Sequence, residues 1–172
     1  MLTNPEPAET DRTGSPVTTA WYDERARAYR ATMAQIPAAI HGMTTDGPGG
    51  VANFTATAVT SLSDHPHTLL VCLQKGSSAY PAVTENGVLC IHTLSGEQEA
   101  LSRRFGGKLP MAERFSDTPH TVGRTGSPLL GGVRAQFDCV ISQAVSAATH
   151  DVLMCRVVDQ FLAPDMSRGP LV

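Results

Sequence analysis

The sequence predicts a mainly β domain, barrel-like rather than layered, with a few short helices. Three observations carry that prediction. Apolar runs of strand length recur along the chain, as in Thr68–Leu73 and Val88–Ile91. Turn chemistry such as Asp46-Gly47-Pro48-Gly49-Gly50 and Asn86-Gly87 punctuates them, in place of long helical stretches. Near the C-terminus two long runs, Ala135–Ala147 and Val152–Leu162, lie back to back across a short turn. A parallel sheet would need a crossover helix between each strand pair, so this pattern argues for antiparallel strands around one core.

Taken in order, residues 1–20 are rich in Pro, Thr, Glu and Asp and are expected to be a disordered leader, leaving a domain over 21–172. Tyr22, Ala26, Tyr29, Met33 and Ile36 recur at helical spacing, with Arg25, Arg27 and Arg30 between them. That stripe is expected to make core contact, and Pro37 ends the helix. Ala38–Thr45 and Val51–Thr57 flank the Gly-rich turn as a hairpin, followed by a strand near Thr60–Ser63 and a buried one at Thr68–Leu73. Ser77 or Ser78 is placed to cap a short helix that reaches about Glu85 and stops at Asn86-Gly87. Ser95 and Gln98 form a capping-box pattern for a second helix. Ala100, Leu101 and Phe105 give that helix its apolar face, and Gly106-Gly107 ends it. A loop rich in Pro and Gly leads to the two long strands, with Thr149-His150-Asp151 at their turn, and a last strand begins at residues 169–172.

Composition removes several classes of function. The 172 residues suit one domain with a real core. A net charge of −3 and a pI near 6.0 give no general attraction to nucleic acid or anionic membrane. Any anion must therefore be held by local geometry. No apolar run approaches the roughly 20 residues of a membrane span, and the N-terminus has no apolar signal core. Cys72, Cys90, Cys139 and Cys155 lie far apart, each in an apolar strand-like run. That pattern speaks against zinc and thiol-redox sites and suits packing in a reducing cytoplasm. His65 and His67 flank Pro66 without a third ligand in view, so no metal site is expected.

Three segments carry chemistry. In Phe54-Thr55-Ala56-Thr57-Ala58-Val59-Thr60-Ser61, hydroxyl and methyl side chains alternate without bulk after Phe54. A flat ligand could lie against such a strand end while threonines and peptide N–H groups bond its rim; an ordinary half-buried strand has the same pattern. Gln74-Lys75-Gly76-Ser77-Ser78-Ala79 follows a buried strand and opens a helix, offering two hydroxyls and a lysine to a phosphate, or a simple helix cap. Its spacing is not that of a Walker motif. His150 sits beside Asp151, which could hold its ring.

Together these stretches resemble the short-chain flavin reductases, the reductase partners of two-component flavin monooxygenases. The likeness runs from about Tyr29 to Val172. It rests on Met33-Ala34-Gln35-Ile36-Pro37, Thr44-Thr45-Asp46-Gly47, the Thr55–Ser63 segment, Thr68–Leu73, Lys75-Gly76-Ser77-Ser78, Gly87–Ile91, Glu97–Phe105, Gly126–Leu130 and His150-Asp151-Val152.

The resemblance implies an FMN-binding split β-barrel of Greek-key type, a homodimer with flavin sites near the subunit interface. Its cofactors would be FMN or FAD, with NADH or NADPH as hydride donor. Thr55, Ala56, Thr57, Ala58 and Val59 would contact the flavin ring and ribityl chain. Leu73, Gln74, Lys75, Ser77 and Ser78 would lie along the ribityl phosphate. Phe105 and Gly106 would close the site, and His150 matches the family histidine near the nicotinamide. Arg103, Arg104, Lys108 and Arg114 are the cations available for a 2′-phosphate.

The chain departs from the family pattern at His92, where Asn is common, and at Ala38-Ala39, where Thr-Gly is common. It departs again at His41, where a small or β-branched residue is usual, and in the absence of a Tyr- and Arg-bearing strand after Val172. His41 and His92 are therefore expected near the flavin. The function implied is NAD(P)H-dependent flavin reduction serving a partner monooxygenase. The alternatives are a flavin-binding sensor or electron carrier, or a small-metabolite enzyme of the same fold.

Overall fold

The computed structural model describes residues 19–164, 167 and 169–172. Residues 1–18 of the expected leader lie outside that description, while Thr19 and Ala20 already belong to a helix, α1 (Thr19–Met33). The chain divides into two units, residues 1–37 and 38–172. Within the first, α1 ends before Pro37 as predicted. Its stripe does not form core: Tyr22, Tyr29, Met33 and Ile36 are all exposed.

Among its described residues the second unit holds nine strands. They are β1 (His41–Thr45), β2 (Ala52–Ala56), β3 (Val59–Asp64), β4 (His67–Gln74), β5 (Val88–Thr93), β6 (His120–Val122), β7 (Pro128–Leu130), β8 (Ala135–Ala147) and β9 (His150–Leu162). Between them lie α2 (Tyr80–Asn86), a 3-10 turn (Gly96–Gln98), α3 (Glu99–Gly106) and α4 (Met111–Arg114). Seven strands form one antiparallel sheet in the order β2-β1-β5-β8-β9-β4-β3, and β6 pairs with β7 separately.

Chain connectivity forces that sheet to close. β2 and β3 stand at opposite ends of the order, yet only Thr57 and Ala58 join them. Two linking residues reach about 10 Å at most, so the two edges must meet. β2 pairs only with β1 and β3 only with β4. The seam is thus bridged by the linker, with Cys72 N–H donating to Ala58 O at 3.1 Å, rather than by a ladder. The result is a split barrel.

Strand alternation sorts side chains to two faces. Met43, Val71, Leu73, Leu89, Ile91 and Leu153 fill the barrel, all at most 1% exposed. Each such burial stabilises by roughly 1.5–3 kcal/mol. The alternate residues of β5, Cys90 and His92, face an outer layer built on Leu94, Phe105, Leu130 and Val133. Cys90, Cys139 and Cys155 are buried free thiols. Desolvation pushes all three up, Cys155 to about 12, so they behave as apolar packing groups.

Several local expectations change. The β1–β2 hairpin forms, and Asn86 pins its turn by accepting from Gly49 N–H (2.7 Å) and donating to Gly50 O (2.9 Å). A Cβ at Gly49 would come within 3.0 Å of the Ala82 backbone, so the close approach needs glycine. Ala79, not Ser77 or Ser78, is the N-cap of α2, because a tight turn from Gln74 O to Ser77 N–H delays the helix. The Ser95–Gln98 capping box is present, but it opens the 3-10 turn that precedes α3. α4, β6 and β7 occupy the expected Pro- and Gly-rich loop. The last residues form a single bridge, Pro170 to Ser95, rather than a strand. The β8–β9 turn is Ala148-Thr149, so His150 already belongs to β9.

Candidate active site

A cleft of about 480 Å³ opens where the barrel is split. That size lies within the range of cofactor sites. The β2–β3 corner contributes Thr55, Ala56, Thr57 and Ala58; the end of β4 contributes Leu73 and Gln74; the turn beyond it contributes Ser77 and Ser78. Phe105 and Gly106 of α3 and His150 of β9 complete the expected residues. Val59 and Lys75 do not line it. Val59 packs against the barrel core opposite Val71.

The floor owes its character to a strand edge. Asn53 N–H donates to Met111 Sδ and Asn53 O accepts from Arg114, so the peptide groups of Asn53 point off the sheet. Alternation of bonded and non-bonded pairs then turns those of Thr55, opposite Gly42, the same way, into the cleft. The Thr55 hydroxyl is already engaged, donating to Ser102 O at 2.9 Å. What Thr55 presents to a ligand is backbone. Gly106 lies against Thr55, where an added Cβ would be in ordinary contact at 3.6 Å. A strand edge with backbone donors and the small side chains of Thr55–Ala58 fits a planar ring.

At the serine end, Ser77 Oγ accepts from Ala79 N–H (3.3 Å) and Ser78 Oγ accepts from Arg114 (3.1 Å). Both hydroxyl protons remain available to a ligand. Lys75 is engaged elsewhere. Its N–H prolongs the β4–β9 ladder to Thr149 O, and its Nζ donates to Ser146 Oγ (2.6 Å) and Ala148 O (2.9 Å). It also sits 3.5 Å from Asp151 Oδ1, an ion pair long for a hydrogen bond.

His150 lies across from Gln74, at the end of β4 that leads into the Ser77–Ser78 turn, and it lines the cleft. The expectation that Asp151 holds its ring is overturned. Neighbours in a strand face opposite sides, so Asp151 is buried and accepts from Tyr80 Oη at 2.7 Å. That bond raises the Tyr80 pKa. The His150 ring touches Thr149 Oγ1 instead, at 2.9 Å.

His41 and His92, expected near the flavin, line no part of the cleft. His41 is half-buried beside Thr93 Oγ1, and burial lowers its pKa. His92 is buried in the outer layer between Thr44 and Gln136. Arg103 pairs with Glu99 on exposed helix surface, and Arg104 donates to Ser116 O. Arg114 alone of the four suggested cations lines the cleft.

A split barrel with a planar, edge-lined cleft defines a flavin-binding class of protein, and comparison with known proteins agrees. Residues 33–172 match the flavin reductase like domain, and the chain belongs to that family. It is 56% identical over 130 residues to FMN reductase (NADH) RutF of Stutzerimonas stutzeri (strain A1501), covering 76% of this chain and 75% of that one. It is 53% identical over 132 residues to FMN reductase (NADH) RutF 2 of Methylorubrum extorquens (strain PA1), covering 77% of each. A structure from Haemophilus somnus 129pt, assigned as a flavin reductase, superposes with a TM-score of 0.80 at 39% identity, covering 84% of this chain and 91% of that one.

Proposed function

We propose that this chain is an NADH:FMN oxidoreductase that works as a homodimer and delivers reduced flavin to a partner monooxygenase. The observation that carries the reading is the cleft: a floor with strand-edge donors, lined also by two serine hydroxyls and a histidine. The names of the relatives at 53–56% identity support FMN and NADH as the pair used. When bound, the flavin accepts a hydride at N5 from C4 of the nicotinamide, chemistry that belongs to the cofactors and needs no protein acid or base.

The chain's own work is binding and orientation. The peptide groups of Thr55 hydrogen-bond the ring edge and favour charge there as the ring is reduced. Ser77 and Ser78 donate to the phosphate, while Phe105 and Gly106 bound the ring on the α3 side. His150 orients the nicotinamide amide over the ring. Phe161 and Leu162 at the end of β9 are large exposed apolar groups, which favours a second copy as their cover. No helix among the described residues is long and apolar enough to cross a membrane.

The test is NADH oxidation by the purified chain with and without free flavin. Turnover that needs added FMN, and runs faster with NADH than with NADPH, is the expected result. Bound flavin without nicotinamide oxidation would favour a carrier or sensor. Sedimentation at micromolar concentration should give twice the monomer mass, and a monomer would remove the dimer from the reading.

A further inference from the structure

The cleft carries a buried cation whose charge nothing in its surroundings cancels. Arg114 ends α4 at 6% exposure. Its Nε donates to Leu109 O (2.9 Å), Nη1 to Asn53 O (3.3 Å) and Phe105 O (3.2 Å), and Nη2 to Gly107 O (2.9 Å) and Ser78 Oγ (3.1 Å). These use the whole donor set of a guanidinium. Phe105 and Gly107 lie at the C-terminus of α3, whose last carbonyls have no partner within the helix. Arg114 caps that end from outside, so its position is rigid.

Carbonyls and a hydroxyl solvate the guanidinium without neutralising it. Among the described residues the ion pairs are Lys75–Asp151 and Arg103–Glu99, and no carboxylate lies within 4.0 Å of Arg114. Its field is therefore felt where the wall opens, at Ser78. Because Ser78 Oγ accepts from Arg114, its own proton is left to point into the cleft and is polarised by the cation behind it. Lys75, the cation that the sequence offers for this task, faces Asp151 instead.

We infer that Arg114, acting through Ser78, is the positioning residue whose charge makes the cleft prefer a phosphorylated flavin over riboflavin. The inference rests on the flavin reading of the cleft.

The experiment compares FMN and riboflavin dissociation constants, by quenching of flavin fluorescence, for the full chain and its variants. Arg114→Gln should weaken FMN by about 10- to 100-fold, the worth of a charged hydrogen bond, while riboflavin moves less than about threefold. Arg114→Lys, which keeps the charge and loses the fork, should fall between, and Lys75→Ala should shift both flavins alike. Equal loss of the two flavins in Arg114→Gln, or no loss, would overturn the inference. If neither Arg114 variant folds, Ser78→Ala decides: it removes only the hydroxyl between guanidinium and cleft, and an unchanged FMN-to-riboflavin ratio refutes the role. A wild-type chain that binds neither flavin would instead defeat the flavin reading itself.

Discussion

The cleft and the buried layer around His92 use the same kinds of side chain and put them to opposite ends. Around His92 the polar side chains bond to one another or to backbone. Thr44 Oγ1 donates to Pro128 O and lies 2.9 Å from His92 Nε2. His92 Nδ1 lies 3.0 Å from the Gln136 carboxamide oxygen, which can only accept from the ring. At the cleft the hydroxyl protons of Ser77 and Ser78 and the peptide edge of Thr55 have no such closure. Residue type does not separate the two regions. What separates them is whether the fold spends the donors or leaves them facing outward.

Phe105 belongs to both regions and offers the severest way to break the contrast. It is 1% exposed, packs with Leu94, Leu130 and Val133, and also lines the cleft. Phe105→Ala should cost about 3–5 kcal/mol of stability, the usual price of emptying a buried aromatic site. FMN affinity should fall with it, because α3 carries Gly106 and the carbonyls that hold Arg114. Urea titration and flavin binding check the pair. A loss under about 1 kcal/mol would mean that the outer layer is not closed around this ring.

A smaller effect isolates the buried side alone. Desolvation holds His92 at a pKa of about 3, against an ordinary histidine value of 6.5. Between those limits the unfolded chain binds one proton more than the folded one. Stability is therefore full above pH 6.5 and falls as the pH drops through the window, by up to about 1.4 kcal/mol per unit. His41, also lowered by burial, adds in the same direction. His92→Asn should remove the His92 share of that slope and leave FMN affinity at neutral pH unchanged. Denaturant midpoints from pH 7 down to 4 measure it, and an identical slope in the variant would place the acid sensitivity elsewhere.

The same contrast explains what was legible in the sequence. The β1–β2 hairpin, the Gly87 stop and the bonding of Ser95 to Gln98 depend on neighbours within a few residues, and they are present. In β5 the alternation of Leu89 and Ile91 with Cys90 and His92 is visible too. What is invisible is that residues 94–133 return to bury its outer face, so His92, expected near the flavin from its departure from the family pattern, lies in a buried layer instead. Shifting the β8–β9 turn by one position moves His150 into the strand and sends Asp151 to the opposite face, away from the imidazole it was expected to hold. Arg114 had no local signal at all. Its partners Asn53, Ser78, Phe105 and Gly107 come from separate stretches, and α4 is too short to show a period.

His150 gives the mildest test, and it probes the open side alone. Its ring makes one described contact, to the neighbouring Thr149, and it is only partly covered. Little folding energy depends on it, so His150→Ala should leave the denaturation midpoint within about 0.5 kcal/mol of the parent. If the imidazole orients the nicotinamide, the variant should raise the KM for NADH about tenfold, the worth of one hydrogen bond of some 1.4 kcal/mol. FMN affinity should change less than about twofold, since the serine end and the Thr55 edge are untouched. A parallel fall in FMN binding would assign His150 to the flavin instead, and the cleft would then have to hold its nicotinamide by some other group.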